Sequence, residues 1–104
     1  MDLEPPEYID TAEALESWVG DLRGSQIIAV DTESDSFHHY QEKVCLIQMT
    51  ARGRDVLIDP LAIGNLDALG PVFADPNRIK IFHDAGYDLV CLSRDFGFDF
   101  QGLF

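Results

Sequence analysis

Three apolar, strand-like segments follow one another with no helix between them, and this order limits the folds open to the chain. They are residues 26–31, 44–49 and 55–59. The first is rich in β-branched residues and has the length of a buried central strand. The short, glycine-containing segment 50–54 predicts a hairpin between the other two. The sequence therefore predicts an antiparallel, three-stranded meander.

A helix is predicted on each side of this meander. Before it, Asp10 and Glu13 have the spacing of a capping box, and apolar residues then recur at helical intervals up to Gly24. After it, Pro60 ends the third strand because proline cannot donate to the ladder. Four apolar residues then mark a second helix. They are Leu66, Leu69, Val72 and Phe73.

The last part of the chain supplies a fourth strand and a third helix. Residues 78–83 are the strand, Asp84 is placed to cap the helix, and Gly97 closes it. Residues 98–104 alternate as if a fifth strand were starting. A right-handed crossover through the second helix would lay the fourth strand parallel to the first, on its free side. We therefore expect residues 1–104 to form one structural unit, a mixed α/β sheet flanked by helices.

Charge and composition restrict the kinds of partner. The chain has 7 basic and 19 acidic residues and a net charge of −12, which opposes unaided binding of nucleic acid. Divalent cations could neutralise an acidic cleft, or the basic surface could lie on sequence beyond this chain. The acidic N-terminus and the absence of a long apolar run predict a cytosolic protein without a membrane partner. Cys45 and Cys91 lie in apolar stretches and are expected to be inert core thiols.

Acidic residues follow the first strand and enter the third helix. Asp31 and Glu33 project to one face of an extended chain, and Asp88 lies one turn into the helix. Each has a simple structural explanation, as turn chemistry or as a helix-dipole partner. If the first and fourth strands are parallel neighbours, however, all three acids approach one cleft at a switch point of the sheet. Such a set of oxygen donors suits Mg²⁺ or Mn²⁺.

Four stretches carry a resemblance to a known family. They are residues 28–33, 44–48, 56–61 and 83–89, and the segment 83–89 reads His-Asp-Ala-Gly-Tyr-Asp-Leu. From Ile9 onwards, their order and spacing resemble the DEDD-type 3′-5′ exonucleases, and within them the ribonuclease D-like branch. The resemblance implies an RNase H-like fold and hydrolytic removal of nucleotides from the 3′ end of RNA or DNA, with RNA processing as the expected role.

The resemblance also implies roles for particular residues. Asp31 and Glu33 would be first-motif metal ligands and Asp88 the acid of the second motif, together holding two Mg²⁺ or Mn²⁺ ions in the complete domain. The backbone at Thr32 and Ser34 would seat the terminal nucleotide. His83 is expected to bind substrate together with these positions. Alternatively, it makes a hydrogen bond that steadies the second motif.

The chain departs from the family pattern at its end. The third motif, which supplies a fourth Asp and a Tyr or His, should follow the starting fifth strand, but the sequence stops at Phe104. We therefore expect a truncated, partial exonuclease domain that is inactive alone. A noncatalytic interaction domain with an incomplete site is the alternative, whereas a receiver-like phosphoacceptor domain lacks support because three strands precede the second helix.

Truncation has a structural corollary. Without a neighbour, the fourth strand would present an open sheet edge, which invites pairing with a second chain. The hypothesis is self-association that hides Ile79, Ile81 and Phe82.

Overall fold

A mixed sheet with its helices on one face organises the chain. The computed structural model describes residues 5–35 and 43–104, and its five strands lie in the order β1-β4-β3-β2-β5. The strands are β1 Glu7–Ile9, β2 Ile27–Asp35, β3 Lys43–Ala51, β4 Arg54–Ile58 and β5 Ile79–Phe82. The helices are α1 Ala12–Asp21, α2 Pro60–Ile63, α3 Gly70–Ala74 and α4 Ala85–Phe96, with a 3₁₀ turn at Asp67–Leu69.

The predicted meander and crossover are confirmed. β2 is antiparallel to β3, and β3 is antiparallel to β4 through a two-residue turn in which Arg52 and Gly53 have φ of 54° and 75°. Positive φ at both central residues is the geometry of a type I′ hairpin. β5 runs parallel to β2, from Ile27 opposite Ile79 to Val30 opposite Phe82. The carboxyl ends of β2 and β5 therefore adjoin.

Two elements differ from the prediction. The lead-in contains a strand, β1, which pairs in parallel with β4 from Glu7 opposite Val56. The single second helix predicted around residues 66–73 is wrong: the structure has α2, a 3₁₀ turn and α3 instead. Gly64 and Pro71 explain the breaks, because glycine at φ 84° leaves the helical region and proline lacks an amide hydrogen.

The helix caps are local features that the sequence largely anticipates. Thr11, rather than Asp10, caps α1, since its hydroxyl oxygen accepts a hydrogen bond from Ala14 N at 3.1 Å. Asp84 caps α4 by accepting from Tyr87 N, and Gly97 ends that helix in the left-handed conformation, both as predicted. Both Thr11 and Asp84 satisfy an amide hydrogen that would otherwise lack a partner in the first turn.

One hydrophobic core lies between the sheet and its helices. Ile28 and Val30 of β2 are buried, whereas Ile27 is 58% exposed, so alternate side chains face the core and the solvent. α1 adds Leu15 and Trp18 to the same cluster. The opposite face of the sheet is therefore open in the part of the chain that is described.

The C-terminal residues occupy part of the outer edge of β5. Lys80 N donates to Gly102 O at 2.8 Å, Phe104 N donates to Lys80 O at 3.2 Å, and Lys80 bridges to Leu103 in parallel. The expected fifth strand is therefore present only as this single bridge, since residues 98–104 form no regular strand. The Lys80 side chain is buried and its ammonium donates to the carbonyl of Asp75. Burial lowers the pKa of Lys80 from its ordinary value.

The expectation that β5 has a fully open edge is wrong because of this pairing. β5 has a neighbour at Lys80, and Phe82 is only 9% exposed because it packs against Phe73 and Phe100, with ring centroids 6.2 Å and 5.7 Å away. Phe82 therefore needs no partner chain to cover it. Ile79 and Ile81 remain exposed by 39% and 38%, so self-association through them stays a prediction.

The remaining expectations have separate outcomes. Cys91 is a buried free thiol as predicted, but Cys45 is only partly buried, and its thiol donates to Glu33 O at 3.4 Å. The polar sequence of residues 34–42 predicts a loop or a strand extension. β2 continues to Asp35, and positions 36–42 lie outside the described residues. Within the described ranges, no helix is long and apolar enough to cross a membrane.

Candidate active site

A cleft opens where β2 and β5 end side by side. His83 N donates to Val30 O at 3.3 Å, which continues the parallel ladder by one residue. The cleft has a volume of about 300 Å³. Its lining residues are Ala29, Val30, Asp31, Gln48, Thr50, Ile81 and His83. The parallel pairing of β2 and β5 thus brings Asp31 and His83 together, as their order in the sheet predicted.

The acidic pair lies on the open face of β2. Pairing with β3 is regular from Ala29 to Glu33 and shifts between Glu33 and Ser34, so Asp31 and Glu33 share a face by strand alternation. Asp31 is partly buried, and its Oδ1 accepts a hydrogen bond from Thr32 N at 2.9 Å. Glu33 is exposed.

Asp88 reaches β2 from the helix side. It lies in the first turn of α4 and is 2% exposed. Its Oδ1 accepts from Thr32 Oγ1 at 2.6 Å and its Oδ2 accepts from Asp84 N at 3.2 Å. Asp88 is therefore bonded to Thr32, the residue that separates Asp31 from Glu33 in the sequence.

Known proteins share both this sequence and this fold. A family profile described as 3′-5′ exonuclease matches residues 6–104. The chain belongs to this family. The exosome complex exonuclease RRP6 of Saccharomyces cerevisiae is 42% identical over 100 residues, which is 95% of this chain and 14% of that protein.

Solved structures place the chain in the ribonuclease D and RRP6-like, DEDD branch of the 3′-5′ exonucleases. The catalytic core of RRP6 from Trypanosoma brucei has a TM-score of 0.91 and 40% identity over 96% of this chain and 28% of that one. Escherichia coli RNase D, described as an exoribonuclease involved in structured RNA processing, has a TM-score of 0.87 and 32% identity, with coverage of 96% and 27%. The chain thus has an RNase H-like fold, and it spans 14% of the yeast relative and under a third of each of these two solved structures.

The predicted metal site depends on whether suitable donor groups lie close together. No group of three or more His, Cys, Asp or Glu side chains within residues 5–35 and 43–104 is arranged to hold a metal ion. The donors themselves fit: Asp88 has spare lone pairs, and none of the ion pairs found in those ranges involves Asp31, Glu33 or Asp88. A pocket shared by the three carboxylates stays a prediction.

The three predicted nucleotide-binding positions, Thr32, Ser34 and His83, differ in their surroundings. The amide of Thr32 donates to Asp31, and its hydroxyl donates to Asp88. Ser34 Oγ is buried without a hydrogen-bond partner in the described part of the chain. His83 is exposed and lines the cleft. A direct role in binding substrate stays a prediction for all three.

Sequence reasoning missed Gln48, which stands beside Asp31 in the cleft. Gln48 pairs with Asp31 across β2 and β3, and its side chain is exposed. An amide side chain there can donate and accept hydrogen bonds. The stretch 44–48 carries part of the family resemblance, but only the register between β2 and β3 shows which of its residues faces the acids.

Two other acids, Asp95 and Asp59, have hydrogen-bond partners away from the cleft. Burial raises the pKa of Asp95, but hydrogen bonds from Arg94 and from Val44 N, the latter at 2.7 Å, outweigh burial and leave that pKa below its ordinary value. Asp59 accepts hydrogen bonds from the Tyr8 hydroxyl and from Ala62 N. Both carboxylates therefore have structural roles away from the cleft.

Proposed function

We propose that this chain supplies the first two metal-binding motifs of a 3′-5′ exonuclease that shortens nucleic acid from its 3′ end by a two-metal-ion mechanism. The observation that carries the proposal is the parallel pairing of β2 with β5, which places Asp31 and His83 in one cleft. The helix that follows β5 then brings Asp88 into a hydrogen bond with Thr32. Membership of the exonuclease family over residues 6–104 supports the same reaction.

Each residue has a definite role in this proposal. Asp31, Glu33 and Asp88 hold two Mg²⁺ or Mn²⁺ ions, together with a fourth carboxylate from outside the chain. When bound, the ions supply Lewis-acid activation of the water and charge stabilisation at the phosphate. His83 and Gln48, at the rim of the cleft, hydrogen-bond the terminal nucleotide, and the backbone near Thr32 and Ser34 positions its sugar.

We infer that RNA rather than DNA is the substrate. The yeast relative is named as an exosome exonuclease and the Escherichia coli relative as an exoribonuclease, and both exceed 30% identity. Because the chain has a charge of −12, the positive charge that holds a phosphate backbone must come from bound metal ions or from basic side chains on another chain segment. A cytosolic location is part of the proposal, on the sequence argument alone.

A chimera tests the proposal directly. Residues 6–104 would replace the matching segment of the T. brucei RRP6 catalytic core, where the overlap has a TM-score of 0.91. We expect Mg²⁺-dependent shortening of a 3′-labelled RNA, which Asp31→Asn or Asp88→Asn each reduces by about a hundredfold or more. Asp99→Asn changes an exposed acid outside the cleft and should leave the rate unchanged. A folded chimera whose activity is unaffected by Asp31→Asn would contradict the proposed roles.

The 104-residue chain by itself is proposed to be inactive because it provides three of the four carboxylates. The alternative function, a noncatalytic interaction domain, draws support from the lack of a formed three-ligand group in the described ranges. Isothermal titration with Mn²⁺ separates the two. Binding that Asp31→Asn weakens supports the nuclease site, whereas no Asp31-dependent binding favours the interaction domain.

A further inference from the structure

A buried hydrogen bond joins the two acidic motifs beneath β2. Thr32 Oγ1 donates to Asp88 Oδ1 at 2.6 Å, and Asp84 N donates to Asp88 Oδ2 at 3.2 Å. Asp88 is 2% exposed, so these two donors stand in for most of the water that a free carboxylate would bind. Both oxygens of Asp88 are thus held, one by the strand and one by the start of its own helix.

Two anchors on different elements fix the direction of the carboxylate. The short O–H···O⁻ distance is typical of a charge-assisted hydrogen bond. With Oδ1 tied to β2 and Oδ2 tied to the N-cap of α4, rotation about the side-chain bonds of Asp88 would break one of the two bonds. The remaining lone pairs of Asp88 therefore keep one orientation relative to β2.

Thr32 also stands at the centre of the acidic motif in sequence. It separates Asp31 from Glu33, and its amide donates to Asp31 Oδ1 at 2.9 Å. One residue thus contacts the carboxylates of both motifs, through its backbone on one side and its hydroxyl on the other. Outer hydrogen bonds of this kind set the orientation of metal-ligating carboxylates.

We propose that Thr32 is a positioning residue that aligns Asp88 with Asp31 for binding a divalent cation. The inference rests on the proposed function, since it assigns Thr32 to the same metal site. The hydroxyl acts by donating its hydrogen to Asp88, so the side chain orients a ligand and does not itself need to touch the ion or the nucleic acid.

Substitutions at Thr32 separate the hydroxyl from the shape of the side chain. Thr32→Val keeps the branched shape but leaves Asp88 Oδ1 buried without its donor, whereas Thr32→Ser keeps the donor. We expect Mn²⁺ affinity of the 104-residue chain to fall about tenfold or more in Thr32→Val. Thr32→Ser should retain parental affinity. Thr32→Ala serves as the test variant if Thr32→Val does not fold.

Thr11→Val is the matched control for lost stability. The Thr11 hydroxyl caps α1 by accepting from Ala14 N, away from the acidic residues. Both Thr11→Val and Thr32→Val should lower the thermal unfolding midpoint measured without metal, but only Thr32→Val should change the Mn²⁺ dissociation constant in isothermal titration. A purely structural role for Thr32 would leave that constant unchanged in the folded variant.

The possible results distinguish this inference from the proposed function. If the parent binds Mn²⁺ in an Asp31-dependent way and Thr32→Val binds equally well, the positioning role is overturned while the metal site stands. If Thr32→Ser binds as weakly as Thr32→Val, the hydroxyl is not the operative group and the inference is also overturned. If the parent and Asp31→Asn show the same lack of binding, the metal site fails, and the inference fails with it.

Discussion

Gly102 is the residue whose substitution should most clearly reveal how the C-terminal segment is attached. Its φ is +68°, and a Cβ there would lie 2.4 Å from Arg78 O and 3.0 Å from Asp75 O. Gly97 has nearly the same φ, +71°, but an added Cβ would meet nothing within 4 Å. Replacing each with alanine therefore separates the cost of a left-handed backbone from the cost of a clash.

The expected magnitudes follow from these contacts. A left-handed conformation costs a non-glycine residue about 1–2 kcal/mol, so Gly97→Ala should lose about that much. In Gly102→Ala, the clash with backbone oxygens should also displace residues 102–104 and break the two hydrogen bonds to Lys80, at about 1 kcal/mol each. Hydration of the freed Lys80 ammonium offsets part of this loss. Gly102→Ala should therefore be less stable than Gly97→Ala by up to about 2 kcal/mol.

Thermal unfolding followed by circular dichroism measures the difference. For a domain of this size, 2 kcal/mol corresponds to a midpoint shift of roughly 8–16 °C. Amide hydrogen exchange adds a local readout, because the N–H groups of Lys80 and Phe104 should exchange faster in Gly102→Ala only. Equal midpoints in the two variants, with unchanged protection at Lys80, would refute the reasoning.

Three further predictions concern titration and association. Burial lowers the pKa of Lys80 from 10.5, so the folded chain binds this proton more weakly than the unfolded chain. In urea unfolding, the stability of the parent relative to Lys80→Met should therefore rise as pH increases from the lowered pKa towards 10.5 and level off above it. The hydrogen bond from Tyr8 lowers the pKa of Asp59 from 3.8, so the advantage of the parent over Tyr8→Phe should be present above pH 3.8 and lost on further acidification. A pH-independent gap in either series would contradict its prediction. Size exclusion with light scattering at tens of micromolar should show a dimer that Ile81→Lys dissociates, and a parental monomer would rule this out.

The sheet could be predicted from the sequence where its pairings are local or follow general rules of connection. The β3–β4 hairpin follows from a two-residue turn, and the parallel position of β5 follows from right-handed crossovers. β1 could not be predicted in this way. It has three residues, too few to show a period, and its partner β4 lies far along the chain.

The sequence proposes the acids of the candidate site but not their contacts. Motif order names Asp31, Glu33 and Asp88, whose shared role stays a prediction, whereas the bond between Thr32 and Asp88 depends on which face of β2 the helix α4 covers. Strand alternation shows that Thr32 points away from its acidic neighbours, but it does not say what lies on that side. Gln48 was missed for a similar reason, since the long connection between β2 and β3 leaves their register undetermined.

The two outer pairings of the sheet have a consequence for how the chain folds. β1 pairs with β4, and β5 pairs with β2, and in each case about fifty residues separate the partners in the sequence. Closing such long loops costs more entropy than closing a hairpin, so these pairings should form more slowly than the β3–β4 hairpin. On a ribosome, the cleft between β2 and β5 cannot assemble until residue 82 has left the exit tunnel. Until then the hydrophobic side of the meander has no α4 to cover it, which makes a nascent chain at this stage a target for chaperones.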